Sequence, residues 1–358
     1  MIGASQWGRP DCVYETSTIL AKHWFSRASA LCACGVGYSL AQRNNHPRTP
    51  SNLIRKACDM TTAPTPANWL SILALGTIWG GTFMVVTIAL GGYGPLTVAC
   101  ARTTLGAAAL LVLMWALGRP MPEFDRRMST YLIMIGLLNT ALPFALLSWG
   151  QQYVPSAFAG ISMAALPLFV LPLAHIFTDE KLSTRNFLGV CLGFVGAVVL
   201  IGPSVLRIGT GWEPLGQLAC IAAALSYAVS SVMTRRCPPI DSITMAALLL
   251  VVGAAALIPA MLLIEGVPRI TDTTSTVAIV FLGIVPTALA ALLRVFTIRT
   301  AGAVFMTLVN YQVPVWSMVF GAWILSEVLP LRFFVALALI LCGLMISQWH
   351  GLRQIFRR

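Results

Sequence analysis

Gly106-Ala107-Ala108-Ala109-Leu110 recurs as Gly253-Ala254-Ala255-Ala256-Leu257, and Thr140-Ala141-Leu142 recurs as Thr287-Ala288-Leu289, both at an offset of 147 residues. Pro167, Glu180 and Gly196 return at the same offset as Pro314, Glu327 and Gly343. The constant offset means that the chain is an internal duplication. Each copy carries five apolar stretches. In the first they run Trp69 to Leu90, Pro95 to Leu117, Thr130 to Trp149, Ser156 to Phe177 and Phe187 to Ile201. In the second they run Pro214 to Met233, Ser242 to Ile264, Thr276 to Ile298, Ala301 to Leu325 and Leu331 to Trp349.

A helix needs about 20 apolar residues to cross the hydrocarbon core of a bilayer. Most of these stretches reach that length, although Phe187 to Ile201 is short, so that either its boundary extends toward Thr184 or the bilayer thins locally. Five is an odd number, so the second copy enters the bilayer from the face opposite to the first. That is the inverted-repeat plan of secondary transporters. The expected fold is therefore an all-α integral membrane protein of ten transmembrane helices, built as two inverted five-helix repeats over residues 68–203 and 213–350. Basic tails flank them at 1–67 and 351–358.

Composition agrees with the membrane reading, since 58% of residues are hydrophobic and 10% charged, whereas soluble domains carry roughly a quarter charged residues. The net charge of +11 is an orientation signal rather than a nucleic-acid footprint. With the amino terminus in the cytoplasm, Arg119, Arg126, Arg127, Lys181, Arg185, Arg235, Arg236, Arg299, Arg353, Arg357 and Arg358 lie inside, and only Arg207, Arg269 and Arg332 lie outside. This satisfies the positive-inside bias with both termini cytoplasmic in an inner (plasma) membrane. No nucleic-acid partner is expected.

The amino-terminal tail has no helical period and is expected to be disordered. Met60 opens a short polar leader into the first span, so the native start is expected there. Cys32-Ala33-Cys34 is too closely spaced for a zinc site and no paired His follows. The histidines His23, His46, His175 and His350 lie in tails or near a span end, and neither Gly-x-Ser-x-Gly nor His-Glu-x-x-His occurs. No catalytic residue, metal or cofactor is expected.

Proline at mid-span frees a carbonyl that a cavity, a neighbour or water must satisfy. Pro167 and Pro314 lie near the centres of spans four and nine at corresponding positions, and a matched pair of interrupted helices points to a transporter's binding site. Trp79, Asn139, Thr140, Tyr227, Thr287, Asn310, Tyr311 and Gln312 fall near the same depth. For any one of them alone, interhelical hydrogen bonding at about 0.6 kcal/mol is the simpler reading. Together they outline a polar substrate site. Arg102 sits seven residues into span two and needs a partner there, either backbone carbonyls or an acidic substrate group. Arg294 and His175 are near enough to the surface to snorkel. Glu180 and Glu327 read first as helix-end contacts and second as gating or proton-linked groups. Gly76-x-x-x-Gly80 and Gly189-x-x-x-Gly193 allow close helix packing, and both a monomer and a homodimer fit.

The chain resembles the ten-span EamA-like members of the drug/metabolite transporter superfamily. The resemblance rests on Trp79-Gly80-Gly81-Thr82-Phe83, Arg102, Pro167, Asp179-Glu180-Lys181-Leu182, Gly189, Gly193 and Gly196, then Pro314-Val315, Ser326-Glu327 and Gly343. It covers residues 68 to 350. The sequence departs from it in having Thr-Asp before Glu180 and Leu-Ser before Glu327, where such proteins often show Gly-Glu, and in Arg294. The resemblance implies a bundle whose central cavity alternates between faces and exports, or less often imports, amino acids, metabolites or drugs. A membrane channel is the alternative, and an intramembrane enzyme a more distant one.

Overall fold

A computed structural model describes residues 64–177, 183–202 and 211–356. The leader around Met60, the Cys32-Ala33-Cys34 cluster, Glu180 and Arg207 lie outside the described residues. Those described are all helical. The helices are α1 (Pro66–Leu90), α2 (Pro95–Ala116), α3 (Arg126–Gly150), α4 (Ser156–Phe177), α5 (Thr184–Ile201), α6 (Glu213–Arg236), α7 (Ser242–Ile264), α8 (Thr273–Ala301), α9 (Val309–Trp323) and α10 (Leu331–Phe356). Nine stretches among the described residues are long and apolar enough to cross a membrane. The ninth expected span is divided into a helical turn, Ala303–Met306, and the 15-residue α9. Helix α5 begins at Thr184, the first of the two outcomes its short apolar run allows.

The helix starts explain why the acidic residues collect at span ends. The first N–H groups of a helix have no intrahelical acceptor, and the helix dipole favours negative charge there. Asp125, Asp241 and Asp272 each cap the helix that follows, accepting from the backbone N–H of Met128 (2.6 Å), Ile243 (3.0 Å) and Ser275 (2.8 Å). The bond from Ser275 holds the Asp272 carboxyl below the usual carboxylate range. Helices α2 and α4 have no side-chain cap of their own, and each is capped by a glutamate from the other repeat. Glu265, just beyond α7, accepts from Leu96 N (2.8 Å), Thr97 N (2.8 Å) and Thr97 Oγ1 (2.7 Å). Glu327, beyond α9, accepts from Ser156 N (2.6 Å) and Ala157 N (3.1 Å).

These two clamps reveal the symmetry. Helices α2 and α7 are counterparts at the 147-residue offset, as are α4 and α9. In each case the carboxyl end of one meets the amino end of the other, so the counterparts run antiparallel, which is what inversion requires. The packing partners obey the same exchange: α1 lies on α8 and α9, and α6 on α3 and α4. Helix α4 is the most enclosed of the candidate spans and α5 the least.

Lipid chains are as apolar as leucine, so close packing through small residues holds such a bundle rather than exclusion from water. Ala157, Ala159, Ala164 and Ala165 of α4 are buried. A methyl group added to Gly343 of α10 would lie 2.5 Å from the carbonyl oxygen of Gly189, and one added to Gly196 would lie 3.0 Å from that of Ala336. These two contacts exchange under the repeat symmetry, and they join α5 to α10 backbone to backbone. Gly76 and Gly80 face Gln312 and Trp316 of α9 in the same manner. Both small-residue motifs are therefore occupied within this one chain.

At the face holding the carboxyl terminus, Asp241 pairs with Arg119 (3.7 Å) and Arg299 (3.6 Å). Thr300 there donates to Asn68 Oδ1 (2.7 Å). The two glutamate clamps lie at the opposite face, called the far face below.

Candidate functional site

Two π-helical stretches, Leu137–Ala141 in α3 and Ile284–Leu289 in α8, occupy corresponding places in the two copies. Each widens its helix at the depth where the polar residues gather, and π-bulges are frequent at functional sites. Their threonines are reciprocal. Thr140 packs on Gly253 of α7, and Thr287 packs on Gly106 of α2, where an added Cβ would lie 2.5 Å from Thr287 Cγ2. The stripe whose recurrence marks the duplication thus supplies the flat surface on which each π turn rests. The symmetry stops at the hydroxyls. Thr140 Oγ1 donates to Gly136 O (2.6 Å) and across to Leu249 O (3.2 Å), while Thr287 Oγ1 turns back to Leu282 O (2.9 Å).

The widened stretches also present acceptors to their neighbours. Trp79 Nε1 donates to the carbonyl oxygen of Pro286 (3.2 Å), tying α1 to α8. On the symmetric side, Ser226 Oγ donates to Leu138 O (2.7 Å) and Ser230 Oγ to Asn139 Oδ1 (3.1 Å), tying α6 to α3. Tyr227 lies between these two serines and packs against both of the largest apolar clusters. The guanidinium of Arg102 stacks 3.8 Å above the ring of Phe144. It is buried, its Nε has no hydrogen-bond partner, and it lies within electrostatic reach of Tyr227. Of the two partners the sequence allowed Arg102, no backbone carbonyl accepts from it among the described residues.

The expected substrate residues therefore separate into two groups. Thr140 and Gln312 face helix seams, against Gly253 and Gly76. Trp79 lies at the α1–α8 junction and Asn139 and Tyr227 at the α3–α6 junction, with Tyr227 alone of the three within electrostatic reach of Arg102. Tyr311 has a buried hydroxyl without a partner, and Asn310 is half-buried. The prolines behave differently from one another. Helix α4 is broken at Ala165, two residues before Pro167. Pro314 lies inside the continuous α9, and the break on that side falls at Thr307–Leu308. The two interruptions are thus not at corresponding positions. His175 and Arg294 are both exposed.

Ser226, Ser230, Phe144 and Glu265 were not expected at the site or its clamps. Only the register between the copies could have flagged them, through the neighbours of Asn139, Thr140 and Gly118. No group of three or more His, Cys, Asp or Glu that could hold a metal occurs among the described residues.

A duplicated, inverted bundle with polar groups buried between its halves defines a membrane protein on the inverted-repeat plan. The EamA-like transporter family model matches residues 68–202 and 214–348, and the chain belongs to that family. It is similar to the uncharacterized transporter YoaV of Bacillus subtilis, with 25% identity over 80% of this chain and 98% of the relative. It is also similar to the uncharacterized inner membrane transporter YedA of Escherichia coli K12, with 25% identity over 75% of this chain and 87% of the relative. A probable terminal-alkyne amino-acid exporter of Streptantibioticus cattleyicolor matches at 24% identity over 78% of this chain and 92% of the relative. A solved crystal structure superimposes with a TM-score of 0.57 at 22% identity, covering 80% of this chain and 98% of that one, and shows the same fold.

Proposed function

We propose that the protein is a secondary carrier that exports small polar metabolites, amino acids or their relatives, by alternating access, with both termini in the cytoplasm of an inner membrane. The observation that carries this reading is the reciprocity of the inter-repeat contacts. Thr140 on Gly253 and Thr287 on Gly106 are equivalent interfaces, so the halves can exchange roles as the central site opens to one face and then the other. Arg102, Tyr227 and Asn139, with Trp79 and Tyr311, provide one cation, hydroxyls, an amide and stacking surface for a substrate carrying an acidic group. The similarity to a probable amino-acid exporter supports the same substrate class, and the excess of basic residues at the terminal face supports the orientation.

Counterflow in proteoliposomes loaded with an amino-acid and metabolite panel tests the proposal. The expected result is solute exchange in the wild type and its loss in Asn310→Ala and Tyr311→Ala, with folding retained. Ion conductance without solute exchange would favour a channel and overturn the carrier reading.

A further inference from the structure

A cavity of about 370 Å³ opens at the far face between the starts of α4, α6 and α10, within the range of about 300–1,000 Å³ typical of small-molecule sites. It is remote from the midplane residues described above. Phe158 and Phe333, with ring centroids 6.0 Å apart, and Val328 give it an apolar wall. Tyr153, stacked on Trp212 at 5.8 Å, closes another side. Gly216 allows that approach, since an added Cβ there would lie 3.0 Å from Tyr153 Cβ.

The polar groups in this cavity are of both signs and incompletely satisfied. Gln217 is 1% exposed, and its Nε2 donates to Glu213 Oε1 (3.1 Å). Its Oε1 is buried without a partner. Arg332 Nη2 lies 3.8 Å from Glu213 Oε1, and its Nη1 donates to Ile201 O (3.4 Å). Its Nε is buried without a partner. One acceptor and one cationic donor thus go unused beside an apolar wall. A simple anion would meet Glu213, and a simple cation would meet Arg332. A ligand bearing both charges on adjacent atoms would satisfy both.

We propose that this cavity is a peripheral binding site for an α-amino acid in its zwitterionic form. The carboxylate accepts from Arg332, the ammonium donates to Glu213 and to Gln217 Oε1, and an apolar side chain rests on Phe158 and Phe333. The site is separate from the midplane residues, and its occupancy does not depend on transport.

The test is photolabelling of the full chain in phosphatidylglycerol nanodiscs with the diazirine analogue of leucine, followed by peptide mapping. Adducts are expected within 153–158 or 328–333. Excess L-leucine should suppress them, whereas 4-methylpentanoate and isopentylamine, each lacking one charge, should not. Gln217→Leu and Arg332→Lys should each lower labelling roughly tenfold, the loss expected for one hydrogen bond to a charged group. Adducts elsewhere only, equal competition by the acid or the amine alone, or labelling unchanged in Gln217→Leu would overturn the proposal. Loss of labelling on adding phosphatidylethanolamine would also overturn it, by assigning the cavity to a lipid headgroup. The two competitors require no substitution, so the test holds even if a variant misfolds.

Discussion

Glu327 Oε1 lies 2.6 Å from the backbone nitrogen of Ser156, so the connector after α9 supplies the cap that α4 lacks. A carboxylate at a helix amino terminus contributes through both hydrogen bonding and the dipole. Glu327→Ala is expected to destabilise the protein by about 1–2 kcal/mol, read as a lowered midpoint of thermal unfolding in detergent. Glu327→Gln, which keeps one acceptor, should fall between the two. A midpoint unchanged in Glu327→Ala would show that the cap contributes nothing.

Ser326 directly precedes this clamp and has φ of 54°, alone among the described non-glycine residues in being left-handed. The bend turns Glu327 back toward α4. An L side chain in this region costs about 1–2 kcal/mol, a cost that glycine does not carry. Ser326→Gly should therefore raise the unfolding midpoint while leaving exchange intact. A lower midpoint would mean that the serine side chain contributes more than its backbone costs.

Gly343 is the tightest test of the α5–α10 seam. A methyl group there would lie 2.5 Å from Gly189 O and 2.7 Å from Gly193 N, and main chain cannot rotate aside. Gly343→Ala should cost about 1–3 kcal/mol as overpacking and reduce the folded fraction recovered in detergent. Gly211→Ala, with nothing within 4 Å among the described residues, is the control that should fold as the wild type does.

For Arg102, stability and exchange separate two roles. Its Nε is buried without a partner, and a charge held away from water without a partner is costly, so an apolar side chain of similar length removes that cost. Arg102→Met is therefore expected to fold at least as well as wild type yet lose solute exchange. Clear destabilisation would make Arg102 a structural anchor through its 3.8 Å stacking on Phe144.

Cys237 follows α6 at the terminal face and reports orientation. Burial pushes its thiol up from the ordinary cysteine value, with Arg127 pulling it back. The thiolate fraction at neutral pH is therefore below that of a free cysteine, whose pKa is about 8.5. In a variant retaining only Cys237, maleimide labelling should be slow at pH 7 and keep accelerating above pH 8.5 or so. An impermeant maleimide should reach it in inside-out but not right-side-out vesicles. The opposite sidedness would reverse the proposed topology.

Much of the architecture can be read from the chain. The 147-residue register announces the repeats, and the asparates that open helices, Asp125, Asp241 and Asp272, stand just before their apolar runs. The π-helical stretches are only half legible, because Pro286 inside Ile284–Leu289 and Pro143 just after Leu137–Ala141 signal a disturbed helix without saying that the disturbance is a widened turn. The packing of Thr140 and Gln312 is not legible. They stand opposite Gly253 and Gly76, and such pairings depend on inter-repeat contacts that hydropathy does not encode. Proline was a poor guide to helix breaks, since α9 continues through Pro314 while the chain interrupts at Thr307–Leu308, after Gly302 (φ 91°) has ended α8.

Where Gly343 of α10 meets Gly189 of α5, the contact is main chain on main chain with no side chain to turn aside, so the two rods resist sliding there. Any rocking of one half against the other must then be taken up at the rims, in the carboxylate clamps of Glu265 and Glu327 at one end and the paired arginines on Asp241 at the other. The molecule has a stiff axle, and its ionic contacts stand at the rims, where added salt can screen them.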